Sequence, residues 1–458
     1  MAEQIINGRH VTSQEAGYIA PGDPTVARHL DWYSGLKLGF MMHWAPVTQL
    51  GVTESWPLSD GDADWSQSGI RWTSDMDEFR AHYRRLNRTF NPIAFRPDHW
   101  ARIARECGFK YLLFTTKHHD GFCMYDSQYT DYKVTAPDCP FHSHPHADIT
   151  AALFDAFRAE GLAIGAYFSK PDWHSQDFWV PEYGTAPSRN ANYDPLEHPG
   201  RWERFVQFTH NQITELMTNY GQVDCLWLDG GWVRPDTNHQ DVRIGELAER
   251  LRATVQPHLI VVDRTVPGAY ENILTPEQEV PGEPIHVPWE TCMSLGRSFS
   301  FHYDDVVKSP EEVIHTFCEI LAKGGSLALN ITPQPNGELP SRGVAVLREL
   351  GDWLRHNGEA VYESGISPCR SRDALYTRRD GHDYAFILYR GWPVMPPRLF
   401  LHADGEVADV TCLRTGQSLP FIQNGARLGL TTDSLDMVGA RYADVFRIRY
   451  RQPAAAGR

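Results

Sequence analysis

The stretch Gly221-Gln222-Val223-Asp224-Cys225-Leu226-Trp227-Leu228-Asp229-Gly230-Gly231 is an apolar strand that stops on a carboxylate beside two glycines. Side chains alternate across a strand with a period of two, so Val223, Cys225, Trp227 and Asp229 share one face. Trp227 and Asp229 therefore point the same way. An aspartate in this place also has a purely structural explanation, because Asp-Gly starts turns and Asp caps helices. The surrounding chain decides between the two.

Working outward, the same unit recurs. Trp202 to Tyr220 reads as a long helix that feeds the strand through Gly221. Before it, Asp148 begins a helix carrying Ile149, Leu153, Ala156 and Phe157, and Gly161 leads into a strand over Leu162 to Phe168. Earlier still, Asp98 is placed to cap a helix with Trp100, Ile103, Ala104 and Cys107 on one stripe, closed by Gly108 before Tyr111 to Thr116. The first strand runs from Leu36 to His43. Downstream, a helix over Val242 to Val255 precedes Leu259 to Asp263, and a shorter strand is expected at Ile285 to Glu290. Ser309, Pro310 and Glu312 then open a helix with Val313, Phe317, Ile320 and Leu321 on one face. A strand over Ser326 to Ile331 and a helix over Val344 to Leu354 complete the series. Such alternation implies a parallel sheet, and about seven units favour a closed (β/α) TIM-like barrel over a doubly wound sheet.

Beyond Glu359 the texture changes to short alternating runs such as Tyr384 to Tyr389, Arg398 to Leu401 and Val445 to Tyr450, broken by Gly and Asp-Gly turns. They read as an antiparallel β-sandwich. The expected organisation is an irregular N-terminal arm over 1–30, a barrel over 31–359 and a sandwich over 360–458.

With 43 Lys+Arg against 58 Asp+Glu the 458-residue chain carries a formal charge of -15, which disfavours nucleic acid and anionic membrane surfaces as partners. Aromatics make up 12% of residues, a supply of flat rings with polar tips that suits neutral amphipathic ligands. The eight cysteines stand far apart without a Cys-x-x-Cys pair and read as reduced, buried thiols. No secretory signal pattern opens the sequence and no window approaches 18 uncharged apolar residues, so a cytoplasmic location is expected, and the oligomeric state is left open.

In barrels of this type the site lies at the C-terminal ends of the strands. Those ends read His43-Trp44, Lys117-His118-His119-Asp120, Tyr167-Phe168-Ser169, Trp227-Leu228-Asp229, Asp263-Arg264 and Trp289-Glu290, whereas the opposite ends offer mainly Gly and packing residues. Histidines, aromatics and carboxylates together suit metal-assisted hydrolysis or glycoside hydrolysis. Two features weigh against a metal. The first strand lacks a His-x-His pair, and His118 and His119, being adjacent, are expected to face opposite sides of a strand.

The run Tyr111-Leu112-Leu113-Phe114-Thr115-Thr116-Lys117-His118-His119-Asp120-Gly121-Phe122-Cys123 closely resembles the signature of the α-L-fucosidase family of retaining glycoside hydrolases. Leu38 to Trp44, Leu226 to Gly230 and Lys323 to Ile331 resemble the same family, so the likeness spans about Asp31 to Leu354. It implies that Asp229 is the nucleophile and that His43, His118, His119, Tyr167 and Trp227 bind fucose, with no metal or organic cofactor. The acid/base in the family lies on a variable loop after the strand bearing an arginine, in a Thr-x-Glu context. Here Arg264 is followed by Thr275-Pro276-Glu277, which selects Glu277, with Glu290 second and Glu271 third. The sequence departs from the pattern at Ala45, at Glu54-Ser55-Trp56 and at Ser298-Phe299-Ser300-Phe301, and Ser59 to Asn91 is a long insertion. Glu54, Trp56, Arg264, Trp289 and Glu290 are further expected pocket residues. The substrate implied is a fucosylated oligosaccharide; a glycosidase for an L-galactose-type sugar and a non-catalytic fucose-binding protein are the alternatives.

Overall fold

The structure, a computed structural model, describes residues 13–59, 62–183 and 188–451. Seven parallel strands form its centre: β1 (Leu38–Met42), β2 (Tyr111–Lys117), β3 (Ala163–Ser169), β4 (Cys225–Asp229), β5 (Ile260–Asp263), β6 (Glu290–Ser294) and β7 (Ser326–Asn330). They are ordered β5-β4-β3-β2-β1-β7-β6, which follows the chain around a ring without the reversal point of a doubly wound sheet. The fold is a TIM-like barrel. Between its edge strands β5 and β6 the connecting segment 270–278 supplies bridges rather than a regular strand. Asp263 N donates to Tyr270 O, Asn272 N to Val261 O, Glu290 N to Leu274 O and Gln278 N to Cys292 O. This segment carries Glu277.

All seven strands are buried along their whole length, as a parallel sheet covered on both faces requires. Met41, Tyr111, Leu113, Tyr167, Cys225, Trp227, Val262, Cys292 and Ala328 fill the interior. Cys225 and Trp227 keep the expected alternation, whereas Val223 lies ahead of the strand and packs in the outer core. Gly39 leaves space for an interior ring: a Cβ there would lie 2.1 Å from Tyr111.

The helices are α1 (Pro24–Gly35), α2 (Met76–Tyr83), α3 (Pro97–Glu106), α4 (Ile149–Ala159), α5 (Pro199–Asn219), α6 (Pro235–Asn238), α7 (Ile244–Thr254), α8 (Pro310–Ala322) and α9 (Ser341–Asn357). Asp148 caps α4 by accepting from Ala151 N, Ser309 caps α8 by accepting from Glu312 N, and Gly221 leaves α5 at φ 73°. Asp98 does not cap α3. Arg96 occupies that position and Pro97 starts the helix, leaving Asp98 within the first turn.

In the expected arm, residues 1–12 lie outside the described residues, and 24–30 belong to α1, capped by Asp23 through Thr25 N at 2.7 Å. Leu30 and Tyr33 of α1 join the interior cluster at the end of the barrel where the strands begin, with the Tyr33 and Tyr111 rings 4.7 Å apart.

The C-terminal strands are β8 (Gly365–Ile366), β9 (Leu375–Arg379), β10 (His382–Leu388), β11 (Arg398–His402), β12 (Val407–Cys412), β13 (Phe421–Asn424), β14 (Arg427–Thr431) and β15 (Ala443–Tyr450). They form antiparallel sheets ordered β12-β15-β10-β9-β8 and β11-β14-β13, which enclose Tyr376, Leu399, Val410, Leu428 and Phe446. The larger sheet turns Tyr384, Phe386 and Val445 toward the main core, where Trp353 of α9 donates to Ala443 O at 2.9 Å. Among the described residues no helix is long and apolar enough to cross a membrane.

Candidate active site

A pocket opens at the C-terminal ends of the strands, lined by Met41, His43, Glu54, Trp56, His118, Tyr167, Trp227, Asp229, Trp232, Arg264, Glu277, Cys292 and Phe299. The polar strand ends divide into two sets. Inward-facing groups reach this pocket, whereas Lys117 pairs with Asp172 at 3.0 Å and Lys170 with Asp263 at 2.5 Å, both buried behind it.

Asp229 closes β4 at the pocket floor. Its Oδ1 accepts from Gly230 N at 2.8 Å and from Arg264 Nη1 at 2.9 Å, and its Oδ2 accepts from the Tyr167 hydroxyl at 2.6 Å. Burial alone would push this carboxyl up. The Arg264 charge, His119 and the Tyr167 hydrogen bond outweigh it and hold Asp229 well below the usual carboxylate range. It is ionised, and every donor around it favours that form.

Arg264 is held on both sides. Its backbone N donates to Leu228 O at 3.1 Å, and the next residue, Thr265, adopts φ 58°, a strained value for a β-branched residue. Thr265 is fixed there because its N–H reaches Glu271 Oε1 and its carbonyl receives Arg234 Nη1, each at 3.0 Å. So placed, the guanidinium donates to Asp229 through Nη1 and to Glu277 through Nη2. It also lies 5.3 Å from the Trp227 ring centre.

Three imidazoles are buried and neutral, each bonded at Nδ1. His43 Nδ1 lies 2.9 Å from Asn330 Oδ1, which also accepts from His43 N; the ring therefore carries its proton on Nδ1 and offers Nε2 as an acceptor. His118 Nδ1 meets Ser55 Oγ at 2.7 Å, and His119 Nδ1 meets Ser169 Oγ. Burial lowers His43 and His119 to about 4 and takes His118 well below the ordinary histidine value. Glu54 shows the opposite response, since burial followed by the nearby Glu277 raises it to about 8. At neutral pH it is a carboxylic acid able to donate a hydrogen bond. Trp56 closes one wall, with its ring 5.1 Å from His119 and 5.6 Å from Trp232.

His118 and His119 do not face apart. Their rings are 4.1 Å apart, because the ladder shifts register between Thr115 and Lys117 and the chain has left the strand by His118, so alternation no longer applies. Ligand atoms of His118, His119 and Asp229 lie within 4.8 Å of one another. The Arg264 guanidinium already on Asp229 opposes a second cation there.

Trp289 and Glu290 do not reach the pocket. The expected strand over Ile285 to Glu290 instead begins at Glu290, which pairs with Ser326 at the start of β7 and sits near the opposite end of the barrel. Pro284 and Pro288 explain the shift, since neither can donate to a ladder. Glu290 accepts from the Tyr111 hydroxyl, and Trp289 Nε1 donates to Lys323 O at 3.1 Å. Glu271 likewise stands behind the pocket, bound to Thr265 N.

Trp232, Met41, Cys292 and Phe299 line the pocket in addition to the expected residues, and Asn330 holds His43 from behind it. Met41 was legible as the same-face neighbour of His43, and Asn330 as the last residue of β7. Trp232 follows the Gly230-Gly231 turn, and nothing in its local pattern marks it.

A protein-family model described as Alpha-L-fucosidase matches residues 6–359. Human plasma α-L-fucosidase is 25% identical over 418 residues, covering 87% of this chain and 85% of that protein. Mouse tissue α-L-fucosidase is 26% identical over 378 residues, covering 79% and 78%. Among solved structures, α-L-fucosidase isoenzyme 1 from Paenibacillus thiaminolyticus matches with a TM-score of 0.76 at 27% identity, over 93% of this chain and 100% of that one. The fold is also shared, at a TM-score of 0.74 and 23% identity over 94% and 97%, with a trapped covalent intermediate of an α-L-fucosidase from Bacteroides thetaiotaomicron in complex with 2-fluoro-fucosyl fluoride. A pocket at the mouth of such a barrel that brings two carboxylates to one guanidinium fits a glycoside hydrolase, the class these relatives define. The family match covers that barrel and every residue lining the pocket. The chain belongs to the α-L-fucosidase family.

Proposed function

We propose that the protein is a retaining α-L-fucosidase that removes terminal α-L-fucosyl residues from oligosaccharides, with Asp229 as nucleophile and Glu277 as acid/base. The observation that carries this reading is the single guanidinium that binds both carboxylates, Asp229 through Nη1 and Glu277 through Nη2. A bridge of that size suits the roughly 5–5.5 Å separation of a retaining pair. In the first step the Asp229 carboxylate attacks the anomeric carbon while protonated Glu277 gives its proton to the glycosidic oxygen. The C–O bond breaks, the aglycone leaves as an alcohol and a fucosyl ester remains on Asp229. In the second step ionised Glu277 takes a proton from water, the hydroxide attacks the anomeric carbon and Asp229 departs as a carboxylate. The donors on Asp229 support that departure, because they favour its charged form.

His43 Nε2 and the Glu54 carboxyl supply an acceptor and a donor for sugar hydroxyls, and Met41, Cys292, Phe299 and the tryptophans offer apolar surface to a 6-deoxy sugar. That wall favours fucose over L-galactose, whose extra hydroxyl would lack a partner there. The eight cysteines are free and buried, which supports placing the protein in the cytoplasm.

Asp229→Gly should abolish hydrolysis of an aryl α-L-fucoside and allow partial rescue by azide; undiminished turnover would remove Asp229 from the mechanism. Glu277→Ala should slow poor leaving groups far more than activated ones, and equal losses on both would take the acid/base role away from Glu277.

A further inference from the structure

At the end of the barrel opposite the sugar pocket, three side chains from separate elements converge. His29 comes from α1, Asp224 stands just before β4, and His258 lies in the turn before β5. Their ligand atoms are all within 4.8 Å of one another. His29 Nε2 is 3.1 Å from Asp224 Oδ1, close to the roughly 3.3 Å edge that bonds of about 2.0–2.1 Å give around tetrahedral zinc. The His29 and His258 rings stand edge to face with centres 4.5 Å apart. His258 Nε2 is sealed from solvent and has no hydrogen-bond partner among the described residues. A buried ring nitrogen left without a partner is uncommon, and this one belongs to a ring packed against an imidazole and close to a carboxylate.

The carboxylate is braced as metal ligands are. Asp224 Oδ2 accepts from Ile164 N at 2.7 Å and Oδ1 from Gln222 Nε2 at 2.8 Å.

We propose that His29, Asp224 and His258 form a structural site for a divalent transition metal of the zinc class, which ties α1 to the floor of the barrel. Two imidazoles and one carboxylate match the donor preference of zinc, with water completing the shell. The ion replaces the contact between His29 Nε2 and Asp224 Oδ1. Because these groups lie at the far end of the barrel from Asp229, occupancy stabilises the fold and leaves hydrolysis unchanged.

The test uses the full chain without a histidine tag, stripped with chelator and titrated with zinc chloride by calorimetry, with thermal melting and aryl fucoside hydrolysis followed in parallel. One equivalent should bind, Tm should rise and turnover should stay constant. His258→Ala and His29→Gln, tested separately so that one misfolded variant leaves the other informative, should each weaken binding at least tenfold without changing turnover. An anomalous peak between the three side chains in a zinc-soaked crystal would agree. No saturable binding, affinity unchanged in both variants, or zinc that inhibits hydrolysis by binding at His118, His119 and Asp229 would each overturn the proposal.

Discussion

Arg264 donates to Asp229 Oδ1 at 2.9 Å and, through its other terminal nitrogen, to Glu277. One rigid fork therefore fixes the spacing of two carboxylates carried by different elements: Asp229 ends a regular strand, and Glu277 sits on the irregular segment that bridges β5 and β6. The same fork is the main influence holding Asp229 in its charged form against burial.

Removing that charge has a signed consequence. In Arg264→Met the burial of Asp229 is no longer opposed by a cation, so its pKa rises. The acidic limb of the kcat/KM profile for an aryl fucoside should move to higher pH by at least about one unit. An unmoved limb, whatever the loss of rate, would show that Arg264 does not set the ionisation of Asp229.

Asn330 fixes the tautomer of His43 by accepting from both its ring Nδ1 and its backbone N. Asn330→Ala frees the ring to present a proton, rather than a lone pair, to the pocket. KM for a fucoside should rise about tenfold, the cost of one net hydrogen bond of about 1–1.5 kcal/mol, with a smaller change in kcat. A fall in kcat at constant KM would contradict a ground-state binding role.

Much of this site is legible in the sequence where the chain is regular. Period two on β4 aligned Trp227 with Asp229, and the ends of β1 and β3 yielded His43 and Tyr167. Legibility fails where the backbone leaves the ladder. His118 and His119 follow a register shift, so their convergence depends on a turn and not on alternation. Glu290 was misplaced because Ile285 to Glu290 is apolar enough for a strand, yet Pro284 and Pro288 delay pairing until Glu290 itself. Its apparent strand end became a strand start. The 270–278 bridge offers no periodicity, and Glu277 was reached only through its Thr-Pro-Glu context after Arg264.

Burial raises Glu290 from 4.5 to about 7 despite the Tyr111 hydroxyl. Between those values the native state holds a proton that the unfolded chain has released, so this group's stabilisation is full below 4.5 and is lost as pH rises through 7. Glu290→Gln keeps the shape without the titration. Its stability relative to the parent should therefore climb by about 3 kcal/mol from pH 4.5 to 7 in denaturant titrations and stay level above. A difference independent of pH would show that Glu290 does not titrate in this range.

The central claim is that Asp229 carries the sugar between the two steps. Incubation with 2-fluoro-fucosyl fluoride, digestion and peptide mass spectrometry address it directly. The account predicts a single fluorofucosyl adduct on the peptide containing Asp229, absent from Asp229→Gly. An adduct on Glu277, or rapid turnover of the reagent with no adduct on any residue, would contradict it.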